Sequence, residues 1–414
     1  ASVRAVASHF GRHGSDSWFS DPPAAILAGY DPYADAAVDD PEAFDPAGLE
    51  KDFDILDVWF ESGSSWRAVA MGRDLVERIP VDLYLEGSDQ HRGWFQLSLL
   101  PALGCFGAPP FRTVLTHGFV VTEDGHKMSK SLGNAVEVME QLGKRGADIL
   151  RLWIASQNYQ DDVRCSDALI AQQEDAYRKI RNTLRYCMGA CGDFDPAADA
   201  ADSDEHSLDR WMRLQLHELI RDVRGAYDRY EFHRAARMIY EFCTIQASSI
   251  YMAAVKDRLY CELPGSDRRR STQTVLHEVL MALVKLLAPI MPHTCEEAWE
   301  HIPHRPAEEP DSVHMALMPD VDHHMLELAE SVDREWAASM KWEADTLEPS
   351  PIMIWSRLLD LRQKGLLELE SLRNAGVKNA MDAEAVFVHR AGDDASDRFL
   401  RTYLAELEDL LGVG

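Results

Sequence analysis

The chain has 414 residues, of which 46% are hydrophobic and 27% charged, a composition typical of soluble proteins with two to four domains. No stretch approaches the roughly 18 apolar residues of a membrane-spanning helix, and no signal-peptide pattern opens the chain, so we expect a soluble cytoplasmic protein. The net charge of −28 argues against a polyanionic partner for the molecule as a whole, although phosphate contacts need only a local basic stripe.

The pattern along the chain predicts an α/β region followed by an all-α region. Residues 1–50 begin with a helical stretch, become rich in Pro, Asp and Ala, and are interpreted as a connector that leads into the next domain. Residues 51–165 mix short strands with helices, whereas residues 166–320 are almost wholly helical. Residues 321–414 hold two helical patterns around a strand candidate at 385–388, which predicts a small α+β terminal part.

The region from 82 to 142 predicts a nucleotide site. A strand over 82–85, a helix over 93–103 and a second strand over 113–121 predict a βαβ unit with parallel strands. Polar motifs at 86–90 and 127–131 follow the two strands. Ligands of open α/β sheets bind beyond the carboxyl ends of the strands, so both motifs are expected at one rim.

The second motif places two lysines on a loop between a strand and a helix. It consists of Lys127, Met128, Ser129, Lys130 and Ser131. Such a loop can close over a ligand, and two ammonium groups can meet charge that develops on a polyphosphate. After it, Asn134 and Glu137 predict a capping box for a helix that stops at Gly143.

The letters K-M-S-K-S, followed by L-G-N, resemble the second signature of the class I aminoacyl-tRNA synthetases. The resemblance implies a Rossmann-like catalytic domain whose loop stabilises the triphosphate of ATP, bound with Mg²⁺, while an aminoacyl-adenylate forms. Lys130 would then be the principal ATP contact and Lys127 its catalytic assistant, with Ser129 and Ser131 in the ATP site.

Two further segments resemble the isoleucyl members of that class. Residues 57–66 read D-V-W-F-E-S-G-S-S-W, and residues 82–96 read D-L-Y-L-E-G-S-D-Q-H-R-G-W-F-Q. Helical segments at 230–233 and 248–260 have the same resemblance. It implies activation of isoleucine and its transfer to tRNA(Ile), with isoleucine, ATP and tRNA as partners of a monomer. A valine-specific ligase and a non-catalytic tRNA-binding paralogue are the alternatives.

Four positions of the 82–96 segment are candidate adenylate contacts. The carboxylate of Glu86 can hold an α-ammonium group, and Gly87 permits close approach of the backbone. Asp89 and Gln90 offer acceptors and donors suited to a ribose, which is also their role in the family. A helix N-cap remains the alternative for either of these two residues.

Two tryptophans are candidates for the amino-acid pocket. The family implies that Trp59 and Trp94 wall the isoleucine side chain, whereas core packing is the ordinary alternative for any tryptophan. A hydrophobic pocket separates isoleucine from valine by only one methylene, about 1–3 kcal/mol.

Two groups of arginines are candidate tRNA contacts. A predicted helix over 166–190 carries a core stripe of Tyr177, Ile180, Leu184 and Cys187. A basic stripe lies on a neighbouring face: Arg178, Arg181 and Arg185. Solvated charge is the alternative for that stripe, but the family's anticodon-binding domain begins with such a helix. A second group follows the turn at 264–265: Arg268, Arg269 and Arg270.

Some family features do not occur in these 414 residues. We find no H-x-G-H first signature, no editing domain and no terminal cysteine cluster of the kind that binds zinc in the family, and no other metal site is predicted. Cys187 and Cys191 are expected to be core residues. The chain is therefore interpreted as a carboxyl-terminal fragment that is inactive alone. A last prediction is that Thr294 and Glu297 form the capping box of a helix.

Overall fold

The computed structural model describes residues 2–54, 58–128, 136–203, 207–327, 351–374, 376, 385–388 and 394–412. The chain divides into two units, residues 1–115 and 116–414. Within the described ranges, no helix combines the length and apolar character needed to cross a bilayer.

The first unit contains short helices and one two-stranded sheet. Its helices are α1 (Ser2–His13), α2 (Ser17–Ser20), α3 (Pro23–Ile26), α4 (Val58–Gly63) and α5 (Trp94–Phe106). Its strands are β1 (Val81–Gly87) and β2 (Phe111–His117). Tighter 3₁₀ turns occupy Pro32–Ala34, Pro46–Gly48 and Ser88–Arg92, and Trp66–Met71 forms a π-helical turn.

The region rich in Pro and Asp owes its turns to local capping. Asp31 and Asp45 each precede a proline, and their carboxylates accept hydrogen bonds from the backbone N–H groups of Tyr33 and Ala47. Proline suits the first position of a helical turn because it has no N–H that would need a partner there. The pair Asp-Pro can therefore start a short turn by local contacts alone.

The predicted strand–helix–strand order is present in β1, α5 and β2. The two strands are neighbours in one sheet. Helix α5 ends at Phe106 because Gly107 takes the left-handed conformation, with φ +67°, and its N–H donates to the carbonyl of Leu103 at 2.9 Å.

The second predicted strand, over 113–121, is wrong as a single element. Strand β2 ends at His117, and a separate strand, β3 (Val120–Thr122), pairs in parallel with β4 (Val163–Cys165). Gly118 separates them, because a Cβ there would lie 2.4 Å from the carbonyl oxygen of Asp161. Only glycine allows this approach of two backbone segments.

The second unit contains the β3–β4 pair and a helical bundle. Its helices are α6 (Val138–Arg145), α7 (Ala147–Ala155), α8 (Asp167–Ala171), α9 (Gln173–Ala190), α10 (Pro196–Asp199), α11 (Leu208–Asp228), α12 (Phe232–Glu241), α13 (Met252–Ala254), α14 (Lys256–Tyr260), α15 (Asp267–Leu287), α16 (Pro292–Glu300), α17 (Pro351–Asn374), α18 (Asp394–Thr402) and α19 (Leu404–Leu411). A π-helical segment at Phe242–Tyr251 and a 3₁₀ turn at Val313–Met315 complete it.

Helix α15 lies in the middle of this bundle and packs against both α9 and α11. Most of its side chains are buried, and the same apolar cluster includes the stripe predicted for α9. Ile180, Leu184 and Cys187 of α9 are each at most 1% exposed, which confirms the stripe that their helical spacing predicts.

The strand candidate at 385–388 is wrong. These four residues have no regular secondary structure, and Val386 and Val388 are 75% and 89% exposed. Phe387 packs on the apolar core of the bundle, but no strand among the described residues pairs with this segment, so its backbone has no sheet to join. In the part of residues 321–414 that is described, the regular secondary structure is helical.

Candidate functional site

The end of β1 and the turn after it carry the first group of predicted residues. Glu86 and Asp89 are exposed, and Gly87 is buried. Gln90 uses its carbonyl oxygen to accept from the backbone N–H of Trp94 at 3.0 Å, and its amide nitrogen donates to Asp89 at 3.2 Å. The side-chain oxygen of Gln90 therefore caps the start of α5, where the backbone N–H of Trp94 has no partner within the helix. One N–H of its amide group and the exposed carboxylates stay available to a ligand.

The two predicted pocket tryptophans meet at Gly93. A Cβ on Gly93 would lie 3.1 and 3.3 Å from two ring atoms of Trp59, so this indole rests on the bare backbone. Trp94 stacks on Tyr84 and donates its indole N–H to the carbonyl of Ser62 at 2.9 Å. Trp59 is 43% exposed and Trp94 is half-buried, so neither is an ordinary core residue.

Lys127 is positioned by a tight turn after β3. Gly125, with φ +82°, closes this turn by donating its N–H to the carbonyl of Thr122 at 2.8 Å. Thr122 donates in return to the carbonyl of His126 at 2.8 Å, and Lys127 forms an antiparallel bridge with Val121. The backbone of Lys127 is therefore fixed against β3.

The two ends of the signature loop are anchored on one apolar cluster. Met128, the second residue of the motif, and Val136, which follows the loop, both pack on this cluster. Its buried members are Ile149, Trp153, Val163, Cys165 and Ile170. Ser129, Lys130, Ser131 and Asn134 lie outside the described residues.

The helix after the loop differs from the predicted one. Glu137 precedes α6 without a capping hydrogen bond from its side chain, and α6 runs two residues past Gly143. The helix ends at Arg145 because Gly146, with φ +82°, takes the conformation that terminates it. The guanidinium of Arg145 pairs with Asp167 and Glu174, and it holds the pKa of the Asp167 carboxyl well below its usual range.

Helix α7 links the loop anchor to the bundle through a buried carboxylate that no sequence pattern predicts. Asp148 accepts from the backbone N–H and the hydroxyl of Thr294, both at 2.6 Å. The predicted capping box is therefore wrong: α16 begins at Pro292, and a carboxylate 146 residues away caps it. One turn further, Arg151 donates to the carbonyls of Pro289 and Ile290 at 2.7 and 3.0 Å.

The three arginines of α9 form an open basic stripe. Arg178, Arg181 and Arg185 are exposed, and none makes a hydrogen bond or an ion pair within the described part of the chain. The neighbouring Lys179 differs, since it pairs with Asp175 at 2.8 Å. An exposed row of uncommitted guanidinium groups is what contact with phosphates requires.

The second arginine group is engaged inside the protein. Arg268 pairs with Glu262 and Asp409. Arg269 makes a two-pronged pair with Asp193 at 2.8 and 3.0 Å and is only 12% exposed. Arg270 donates to the carbonyl of Asp193 at 2.9 Å and lies 3.4 Å from Asp199. These contacts favour a structural role for the three residues over a role in binding phosphate.

A buried charge cluster joins the last helix to the bundle. Arg258, with 2% of its side chain exposed, donates to Asp409 at 2.6 and 3.0 Å and to Glu406 at 3.2 Å. It also lies 3.5 Å from the buried carboxylate of Asp209. Burial alone would lower the pKa of Arg258, but the three carboxylates raise it above its usual value. The pKa of Glu406 is raised, chiefly because burial disfavours the charged form.

Five of the seven cysteines are buried, whereas Cys105 and Cys261 are exposed. Cys187 and Cys191 are both fully buried, which confirms the packing role predicted for them. Burial raises the pKa of the Cys191 and Cys243 thiols to about 12, so these thiols stay protonated at neutral pH. Among the described residues, no group of three or more His, Cys, Asp or Glu side chains could hold a metal ion.

Both the α/β region and the helical region of the chain match known protein families. Residues 25–166 match the family of tRNA synthetases class I (I, L, M and V), and residues 209–374 match the anticodon-binding domain of tRNA ligase. The crystal structure of the Agrobacterium radiobacter K84 agnB2 LeuRS, in a ternary complex with tRNA and LeuAMS, superposes with a TM-score of 0.52. The two sequences are 20% identical over the match, which covers 67% of this chain and 34% of the LeuRS chain. This likeness shows the fold alone.

Curated relatives share far more sequence. Isoleucine–tRNA ligase of Geobacillus thermodenitrificans is 44% identical over 91% of this chain and 37% of its own length. The same enzyme of Desulfitobacterium hafniense is 39% identical over 100% of this chain and 44% of its own length. The chain thus spans about two fifths of the length of these relatives.

These matches show that the chain belongs to the class I aminoacyl-tRNA synthetases. Within that class its place is among the isoleucine–tRNA ligases, with 39–44% identity over most of its length.

Proposed function

We propose that the full-length protein that carries residues 1–414 is an isoleucine–tRNA ligase, which activates isoleucine with ATP and transfers it to tRNA(Ile). The observation that carries the proposal is the identity of 39–44% to isoleucine–tRNA ligases across both the α/β and the helical regions. We further propose that residues 51–165 belong to the catalytic domain, that 166–320 bind the anticodon region and that 321–414 form a junction, after a connector at 1–50.

In the activation step, a carboxylate oxygen of isoleucine attacks the α-phosphorus of ATP. The bond from the α-phosphorus to the bridging oxygen breaks, and pyrophosphate leaves with its charge balanced by Mg²⁺. Lys127 and Lys130 would stabilise the charge that develops on the triphosphate, with Ser129 and Ser131 as further contacts. The fixed backbone of Lys127 supports this role, because it sets the point from which the flexible side chain reaches the triphosphate.

The isoleucyl-adenylate is the product that Glu86, Gly87, Asp89 and Gln90 would hold. The exposed carboxylate of Glu86 suits the α-ammonium group, and the pair of Asp89 and Gln90 suits the ribose hydroxyls. The half-exposed rings of Trp59 and Trp94 would wall the side chain. A terminal hydroxyl of the tRNA then attacks the carbonyl carbon, and AMP leaves.

The open stripe on α9 supports tRNA as the partner. Three exposed arginines on one helix face give a local positive row within an acidic protein. We propose that Arg178, Arg181 and Arg185 bind tRNA phosphates, that Arg268, Arg269 and Arg270 instead stabilise the bundle, and that the enzyme acts as a cytoplasmic monomer.

The test is exchange of labelled pyrophosphate into ATP by the full-length protein, with each amino acid supplied in turn. The proposal expects exchange that depends on isoleucine, with valine used at least about 10-fold less efficiently. Exchange only with valine would replace the proposal with a valine ligase. Binding of tRNA without exchange for any amino acid would replace it with a non-catalytic tRNA-binding protein.

A further inference from the structure

The ring of Tyr84 stacks on Trp94, one of the two proposed pocket tryptophans. Tyr84 lies on β1 with only 5% of its surface exposed. Its ring is parallel to the indole of Trp94, with an angle of 4° between the planes and 4.1 Å between the centroids. The two rings are therefore stacked, whereas the ring pairs of Tyr84 with Phe95 and Phe111 are tilted.

The indole of Trp94 is fixed at two points. Tyr84 fixes its plane, and the hydrogen bond to the Ser62 carbonyl fixes its edge. Ser62 belongs to α4, which approaches α5 so closely that a Cβ on Gly63 would lie 2.3 Å from the carbonyl oxygen of Leu97. The Ser62 carbonyl is therefore held by the close packing of α4 on α5, and Tyr84 is held by its place on β1.

The hydroxyl of Tyr84 does not explain why a tyrosine stands here. It is buried beside the hydroxyls of Ser65 and Ser98 without a hydrogen bond of acceptable geometry. The ring, and not the polar end, makes the contact that fixes Trp94. A phenylalanine should therefore retain the function, and an aliphatic residue should not.

We propose that Tyr84 is a positioning residue that sets the discrimination between isoleucine and valine by fixing the plane of Trp94. The inference rests on the proposed function, in which Trp94 contacts the side chain of the amino acid. A single methylene separates the two substrates, so the wall that meets it must not shift. A gap of about 0.5–1 Å already loses about a quarter to a half of a van der Waals contact.

The experiment compares three variants in the full-length protein by pyrophosphate exchange with isoleucine and with valine. Tyr84→Leu is expected to raise the KM for isoleucine about 10-fold and to lower the isoleucine-to-valine ratio of kcat/KM about 10-fold. Its KM for ATP should stay within about two-fold of the wild-type value, because the proposed triphosphate contacts lie on the loop at 127–131 and Tyr84 touches none of the proposed ribose contacts. Tyr84→Phe is expected to behave like the wild type.

Phe106→Leu is the matched control. It removes an aromatic partner from another tryptophan of the same unit, Trp66, whose ring meets Phe106 edge to face at 5.5 Å and 83°. Phe106 is 52% exposed, so this variant loses less packing than Tyr84→Leu. It still removes an aromatic contact from a tryptophan without touching Trp94, so its isoleucine-to-valine ratio should not move.

Several results would overturn the proposal. An unchanged ratio in Tyr84→Leu, an equal change in Phe106→Leu, or an equal loss in Tyr84→Phe would each do so. Should Tyr84→Leu fail to fold, Tyr84→Met fills the space without a flat ring and is tested the same way; failure of both to fold assigns Tyr84 to the core alone. A wild type that shows no exchange with isoleucine refutes the proposed function itself, whatever Tyr84 does.

Discussion

Replacing the α9 stripe tests whether the structure correctly separates the two arginine groups. The change is Arg178, Arg181 and Arg185 to alanine together, in the 414-residue chain. Each phosphate contact contributes about 0.7–0.9 to the slope of log affinity against log salt, so three contacts contribute about 2–3. At 1 M salt these contacts contribute little, so the triple variant and the wild type should bind about equally. At 0.1 M salt the triple variant should bind about 100- to 1000-fold more weakly than the wild type, a difference of about 3–4 kcal/mol.

The assay is fluorescence anisotropy of a labelled tRNA(Ile) transcript, titrated with protein at several salt concentrations. Arg269→Ala is the matched control, because its guanidinium is 12% exposed and paired with Asp193. This control should lower the thermal stability and change the salt slope by less than about 0.5. A slope that is unchanged in the triple variant, or lowered equally by Arg269→Ala, would refute the assignment.

Three further predictions follow from the buried contacts and the signature loop. Arg258→Ala should cost about 3–5 kcal/mol in urea unfolding, because it leaves buried carboxylates without their partner. The pKa of Glu406 is raised, so its contribution to stability is present at low pH and lost as the pH rises. Removing Arg258 raises the pKa of Glu406 further, so the loss of unfolding free energy in Arg258→Ala should be smaller at pH 5 than at pH 7. A loss that is larger at pH 5 would contradict this. Asp148→Ala should cost about 1–3 kcal/mol by leaving donors of Thr294 unpaired, and Asp148→Asn should cost less; equal losses would argue against the cap. In the full-length protein, Lys130→Ala should slow adenylate formation by about 3 kcal/mol, roughly 100-fold, with little change in isoleucine binding, and the reverse pattern would contradict its role.

Local patterns predicted those features that depend on neighbours in the sequence. The stripe of Ile180, Leu184 and Cys187 recurs at helical spacing, and the structure buries all three against the bundle. The turn before Lys127 is local in the same sense, because Gly125 supplies the positive φ that a tight turn after a strand requires.

Contacts between distant segments were not predictable in this way. The break at Gly118 depends on the backbone at Asp161, and the cap of α16 depends on Asp148. Composition gives no sign of either approach, since both are fixed by packing of the completed fold.

The arginine groups show the same limit in terms of charge. From sequence alone, Arg269 and Arg181 are equally plausible phosphate contacts. The structure distinguishes them because Asp193, 76 residues earlier, neutralises Arg269, while Arg181 is exposed without an ion pair among the described residues. An unpaired cation is a property of the fold and not of the local sequence.

The most direct test of the central claim is pyrophosphate exchange by the full-length protein with each of the twenty amino acids. The proposal predicts exchange that requires isoleucine, weaker exchange with valine and none above background with the others. Exchange that is stronger with another amino acid, or absent with all twenty while the protein is folded and binds ATP, would contradict it.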